Sequence, residues 1–219
     1  MKKKFLPRLP MLVLVISMLS FICIADAGES DFVKLTLESS YQVEIPKSWK
    51  VRDENLNKTI QNFTDSKLSA ANIKQNAGDN HILISASTYA GESSVASASA
   101  RLSVRKTKTL SQKDIKQATQ DDLKELFNET QAIADKTAKA ISKDHSSKVI
   151  AVTRQIINGK YCISTETDMD SGDNKITRQI IDVYHLGNRN VKMTVSYNLA
   201  VAQTYKPIVN KIRNSLIIK

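Results

Sequence analysis

The chain has 219 residues and a formal net charge of +10, with 32 Lys+Arg against 22 Asp+Glu, 5 % aromatic residues and two cysteines. That is one domain's length, enough to bury a two- or three-layer core, and two cysteines are too few for a disulfide-stapled secreted scaffold.

The N-terminus reads as a targeting signal. Lys2, Lys3 and Lys4 form a positive start, 11–24 is an apolar run, and Ala25-Asp26-Ala27 supplies an A-x-A cleavage site before Gly28. The run is short for a bilayer span and polar sequence follows at once, which favours cleavage and leaves no stable span in the mature chain. Two alternatives stay open. Cys23 is a lipidation candidate, although Phe21 and Ile22 stand where small residues are wanted, and an uncleaved signal would act as an anchor. Cleavage removes Lys2, Lys3, Lys4 and Arg8 together with Asp26, so the mature charge is +10 − 3 = +7 and Cys162 is the one cysteine left. A lysine- and asparagine-rich, cysteine-poor exported chain fits a bacterial periplasmic or secreted protein, with 28–219 as a single domain.

Alternation of apolar and polar residues in Phe32–Leu37 and Tyr41–Ile45, joined at Ser39-Ser40, predicts a hairpin that Pro46 closes. A third extended piece follows around Lys50-Val51, with Trp49 as a large anchor sealing one end of the core. Leu56, Ile60 and Phe63 suggest a short helix or loop over 53–66, 67–74 is a weak strand candidate, and 76–80 is a turn. His81–Tyr89 is a strand. Gly91–Ala100 reads as a Ser/Ala-rich surface loop. Arg101–Lys108, with Arg101, Arg105, Lys106 and Lys108 and no acid, reads as a solvated face or a contact for an anionic partner.

A long helix starts at Ser111, with Asp114 in capping-box position, and runs through Ile115, Ala118, Leu123, Leu126, Phe127, Ile133 and Ala134 towards Ile141. Four strands follow over 148–198. Asn158-Gly159 is suited to a type I′ turn, and a second tight turn lies at Gly187–Asn190. Apolar residues on both faces of the first strand (Val149, Ala151 and Ile157 against Ile150, Val152 and Ile156) predict a sheet buried on both sides. A terminal helix is expected from Tyr205 to Ser215, with Pro207 in its first turn and Lys206, Lys211 and Arg213 on its exposed side. The fold class is α/β (α+β), a predominantly antiparallel sheet with helices on both faces.

This order of elements resembles the DcrB-like exported proteins and the wider Mog/PsbP-like α/β/α sandwich family. The residues that carry the likeness are VEIPKSW at 43–49, LGNRNVKMTVSYN at 186–198 and NSLIIK at 214–219. The chain departs from the pattern in its Ser/Ala-rich insert and in lacking a lipobox. The resemblance implies a non-enzymatic exported domain that binds another protein or supports its assembly.

No motif assigns a catalytic or cofactor-binding residue. No G-x-S-x-G is present, and the histidines His81, His145 and His185 are scattered, so a hydrolase would need a dispersed Ser/His site. Cys162, within a strand, reads as a small buried hydrophobe. Asp168, Asp170 and Asp173 surround Gly172 in a loop whose composition resembles a calcium site. The distal acid is missing and strands flank the loop, so it reads first as a polar turn. No Cys/His cluster has zinc spacing, and the charge comes with no stacking motif for nucleic acid. The sequence is thus read as a non-enzymatic envelope binding or assembly module without a cofactor, using its basic stretches on an envelope protein or an anionic surface. An envelope hydrolase and a calcium-binding domain are the alternatives.

Overall fold

The computed structural model describes residues 31–52, 80–88, 96–172 and 175–219. Residues 1–30, with the N-terminal apolar run, 53–79, with the helix-or-loop, weak strand and turn expected there, 89–95, with the first half of the Ser/Ala-rich stretch, and 173–174 lie outside them. The described elements are β1 (Phe32–Leu37), β2 (Tyr41–Pro46), β3 (Lys50–Val51), β4 (Asn80–Ser87), β5 (Ala98–Lys106), α1 (Gln112–Gln117), α2 (Gln120–Ile141), β6 (Ser146–Ile157), β7 (Lys160–Asp170), β8 (Ile176–His185), β9 (Arg189–Asn198), α3 (Ala202–Ser215) and β10 (Ile217–Ile218). They form a three-stranded sheet, β1-β2-β10, and a seven-stranded sheet, β3-β4-β5-β9-β8-β7-β6, with every pair antiparallel.

Successive residues of a strand face opposite sides of its sheet, and β7 shows where each side goes. Cys162 belongs to a large core with Leu102, Met193 and Val195 of the sheet, Val209 and Ile212 of α3, and Tyr41, Val43 and Ile218 of the small sheet. Its neighbour Ile163 packs on the other side with Ile115 of α1 and Leu123 of α2. Helices therefore cover both faces of the large sheet, as the sequence predicted, and α3 shares its side with the small sheet. Trp49 is buried in the large core.

The two tight turns form where expected. Asn158 and Gly159 both take positive φ (48° and 76°), and Gly187 has φ 81°. Asn158 does more than permit a turn. Its Nδ2 donates to the carbonyls of Asn214 (2.7 Å) and Leu216 (2.9 Å), which ties the β6–β7 hairpin to the end of α3. The last apolar residues, expected as a tail, become β10 and pair with Gln42 and Tyr41 of β2.

Four expectations need correction. Residues 98–106, read as the end of a loop and a solvated basic run, form β5 in the interior of the sheet between β4 and β9. Ala98, Ala100, Leu102 and Val104 alternate into the core, while Arg101 and Arg105 occupy the other side. The short alanines and the arginines hid the period.

The predicted helix from Ser111 is two helices. Ala118 is extended (ψ 130°), and Thr119 starts α2 with its own capping box to Asp122. Hydrogen bonds from the backbone and hydroxyl of Ser111 and of Thr119 hold the carboxyls of Asp114 and Asp122 below the usual carboxylate range. Both caps therefore contribute fully above that range and weaken as pH falls below it toward the lowered values.

The helix α3 begins at Ala202, so Pro207 is interior and not in the first turn. Gln203 and Pro207 are exposed, and water can satisfy the carbonyl that loses its partner. Finally, β6 is the edge strand among the described residues, and a bulge between Val149 and Ala151 breaks the expected faces: Val149 is buried on the α2 side and Ile157 on the α3 side, while Ile150 and Ile156 are exposed.

Candidate functional site

The catalytic candidates are dispersed over the fold. His81 is the second residue of β4, is exposed, and its Nε2 lies 3.1 Å from Glu38 Oε1. His145 sits between α2 and β6, its backbone N–H donating to Ser142 O at 3.2 Å. His185 ends β8 with Nδ1 2.6 Å from Thr109 Oγ1, a pairing the sequence did not show because the hydroxyl comes from 76 residues upstream. Burial lowers the pKa of His185, opposed by the Asn190 side chain. Asn190 is an amide, so it lacks the charge with which a carboxylate stabilises an imidazolium.

The most buried polar group joins α3 to the sheet. Arg213 donates from Nε and Nη2 to the two carboxylate oxygens of Asp182 (2.8 and 2.7 Å), and from Nη2 to Ser164 Oγ (3.2 Å). The sequence placed Arg213 on an exposed face; instead it is buried, and Asp182 is wholly so. Burial opposes the charge on Arg213, but the hydrogen bonds and charge of Asp182 hold its pKa above the ordinary value.

Cys162 lies beside this pair with no exposed surface. Burial, and then the negative charge of Asp182, push its thiol up to about 12. A thiol held protonated is a poor nucleophile. The folded pKa lies above the unfolded one, so the native state binds the extra proton between about 9 and about 12 and loses stability as pH rises through that window. Two outcomes are expected: an aromatic disulfide reagent at pH 8 modifies Cys162 only after denaturant is added, and Cys162→Ala reduces the alkaline loss of stability. Rapid modification of the native protein would contradict this account.

The described acids of the calcium candidate, read in sequence as part of a loop, stand at the end of β7 and are already engaged. Both oxygens of Asp168 accept from Arg178, from Nε at 2.5 Å and Nη2 at 2.7 Å, and Glu166 accepts from Nη1 at 2.7 Å. These contacts raise the pKa of Arg178, the hydrogen bond to Asp168 being the largest cause. Asp170 Oδ1 accepts the Gly172 N–H at 2.9 Å, the Asx arrangement of a polar turn. Asp173 lies outside the described residues. Among those described, no three His, Cys, Asp or Glu side chains are grouped to hold a metal. Millimolar calcium is expected to leave the thermal midpoint unchanged within about 1 °C, since RT ln(1 + [L]/Kd) vanishes for a ligand without a site.

Two surface features remain. At one end of the large sheet, Ser111, Gln112, Lys160, Leu186, Asn188, Arg189, Ile218 and Lys219 line a cleft of about 360 Å³. Along one side runs β6, twelve residues with Lys148 and Arg154 and no acid, and no strand beyond it among the described residues. The Gln131 side chain of α2 covers its start, accepting from Val149 N (2.7 Å) and donating to Ser147 O (3.0 Å). Further along, Thr153 to Ile156 are exposed, Ile156 at 61 %, and Ile133 of α2 is 59 % exposed. Of the two basic stretches expected to meet a partner, 101–106 is built into the sheet. In α3, Lys211 lies 4.1 Å over the Phe32 ring while Lys206 stays exposed.

No protein-family model and no curated protein sequence matches the chain. Similarity appears among solved structures. The solution structure of cyanobacterial PsbP from Synechocystis sp. PCC 6803 aligns with a TM-score of 0.54 at 10 % identity, over 89 % of this chain and 96 % of that one. The Ran-binding protein Mog1p of Saccharomyces cerevisiae aligns at 0.42 and 6 % identity, over 85 % and 95 %. No helix of the described residues is long and apolar enough to cross a membrane. The fold is an α/β sandwich of the PsbP type.

Proposed function

We propose that this is a non-enzymatic, exported binding or assembly module of the bacterial cell envelope, close in kind to the DcrB-like proteins, whose working surface is the outer edge of β6. The observation that carries the reading is that edge. A long, acid-free strand presents exposed Ile156 and Ile150 with no strand on its outer side among the described residues, an arrangement suited to an added strand from an acidic protein partner. The buried titratable groups support a non-catalytic role, because Cys162 and Tyr184 are both shifted away from reactivity. The N-terminal charge and apolar run support export.

Two measurements test the proposal. Intact mass of protein recovered from the envelope should correspond to a chain starting at Gly28. A photo-cross-linker placed at Ile156 should give one dominant protein adduct in cells, absent when the same group is placed at Val33 on the small sheet. Equal labelling from both positions, or none from Ile156, would reject the β6 interface.

A further inference from the structure

We propose that the cleft at the end of the large sheet is a binding site for a small organic anion, a carboxylate carrying a short apolar body. The cleft is assembled from four separate parts of the chain: the start of α1, the β6–β7 hairpin, the β8–β9 turn and β10. Such convergence makes a concave site, and its volume of about 360 Å³ suits a small ligand. Its lining is chemically divided. Leu186 and Ile218 are apolar, whereas Lys160 and Arg189 bring positive charge and no Asp or Glu lines the cleft. Lys219 adds a third cation to the lining, beside Lys160 at the start of β7 and Arg189 at the start of β9.

The polar neighbours leave these cations to a ligand. Asp114 is engaged by the N–H (2.7 Å) and hydroxyl (2.8 Å) of Ser111. Gln112 Nε2 donates to the carbonyls of Tyr161 (2.9 Å) and His185 (3.0 Å), and its Oε1 accepts from Tyr161 N (2.7 Å). This side chain braces the wall and does not project as a donor. The guanidinium of Arg189 lies 6.0 Å over the Tyr41 ring, which orients it without neutralising it. Among the described residues its Nε is shielded from water and has no hydrogen-bond partner. Sealed from water, Nε is equally out of a ligand's reach, so the terminal nitrogens are what this guanidinium offers the cleft. A planar carboxylate is the acceptor whose geometry a guanidinium matches.

The probe is hexanoate, titrated into the 15N-labelled full mature chain, with acetate supplying the charge alone and 1-hexanol the apolar body alone. Hexanoate is expected to give saturable shifts at the amides of Ser111, Asn188 and Arg189, and to bind more tightly than either control. Lys160→Gln and Arg189→Gln should each weaken binding about tenfold, the loss of one charge-assisted contact, and Arg189→Lys should restore part of it. The proposal is overturned if hexanoate gives no saturable shifts at these amides, if 1-hexanol or acetate binds as well, or if both Gln variants bind as wild type does. Should a variant fail to fold, the wild-type comparison of the three probes still decides. The outcome is independent of cross-linking at Ile156, so either proposal can fail alone.

Discussion

Asp182→Ala is expected to destabilise the protein by about 3–5 kcal/mol, because it strands the Arg213 guanidinium under α3 without its counter-charge. Asp182 has no exposed surface, and its two oxygens take the two shortest hydrogen bonds that Arg213 makes. The remaining neighbours, Ser164 at 3.2 Å, Gln155 at 3.4 Å and Asn210 at 3.5 Å, are neutral and farther away. Urea unfolding measures the change as a lower midpoint at unchanged slope. The double replacement Asp182→Leu with Arg213→Met should recover most of the loss, since removing both charges leaves nothing stranded. If the single variant loses under about 1 kcal/mol, water reaches the pair and the seal that α3 makes over the sheet is incomplete.

The second large effect is expected at Leu102→Ala, at about 2–5 kcal/mol. Leu102 lies in β5, paired with Ile84 on one side and Met193 on the other, and has no exposed surface. Its loss opens a cavity in the large core, beneath α3. Were 101–108 the solvated run that its charges suggest, the same substitution would cost within about 0.5 kcal/mol. Lys106→Ala, at the exposed end of the same strand, should stay within that small range and serves as the control. A loss at Leu102 no larger than at Lys106 would remove β5 from the sheet interior.

The β6–β9 meander was legible because strand alternation and Asn-Gly chemistry are local properties. The backbone of Asn158 and Gly159 reaches positive φ wherever the hairpin ends up. The second capping box was equally local, with Thr119 and Asp122 three apart, yet it lay inside a continuous apolar stripe that outweighed it. The position of β5 was not legible. Its alanines bury little area, and what makes Ala98 and Ala100 core residues is the pair of strands on either side, of which β9 comes from far downstream in the chain.

The candidate sites divide in the same way. The sequence marked Asp168 and Asp170 by composition, but their occupation by Arg178 and by the Gly172 N–H appears only once β7 and β8 are paired. It marked Cys162 as a buried hydrophobe, and the structure agrees. Nothing local marks the cleft, where Lys160, Arg189 and Ile218 meet from three separate stretches.

By itself the sequence determined the class of fold, the order of most of its elements and the places where the chain turns, since periodicity, caps and turn residues act over a few positions. Only the tertiary structure decided which strand is central, which edge is left open, and which charges are buried in pairs. Those depend on contacts between residues tens of positions apart, such as Arg213 with Asp182, and a charge reads the same in sequence whether water or a carboxylate faces it.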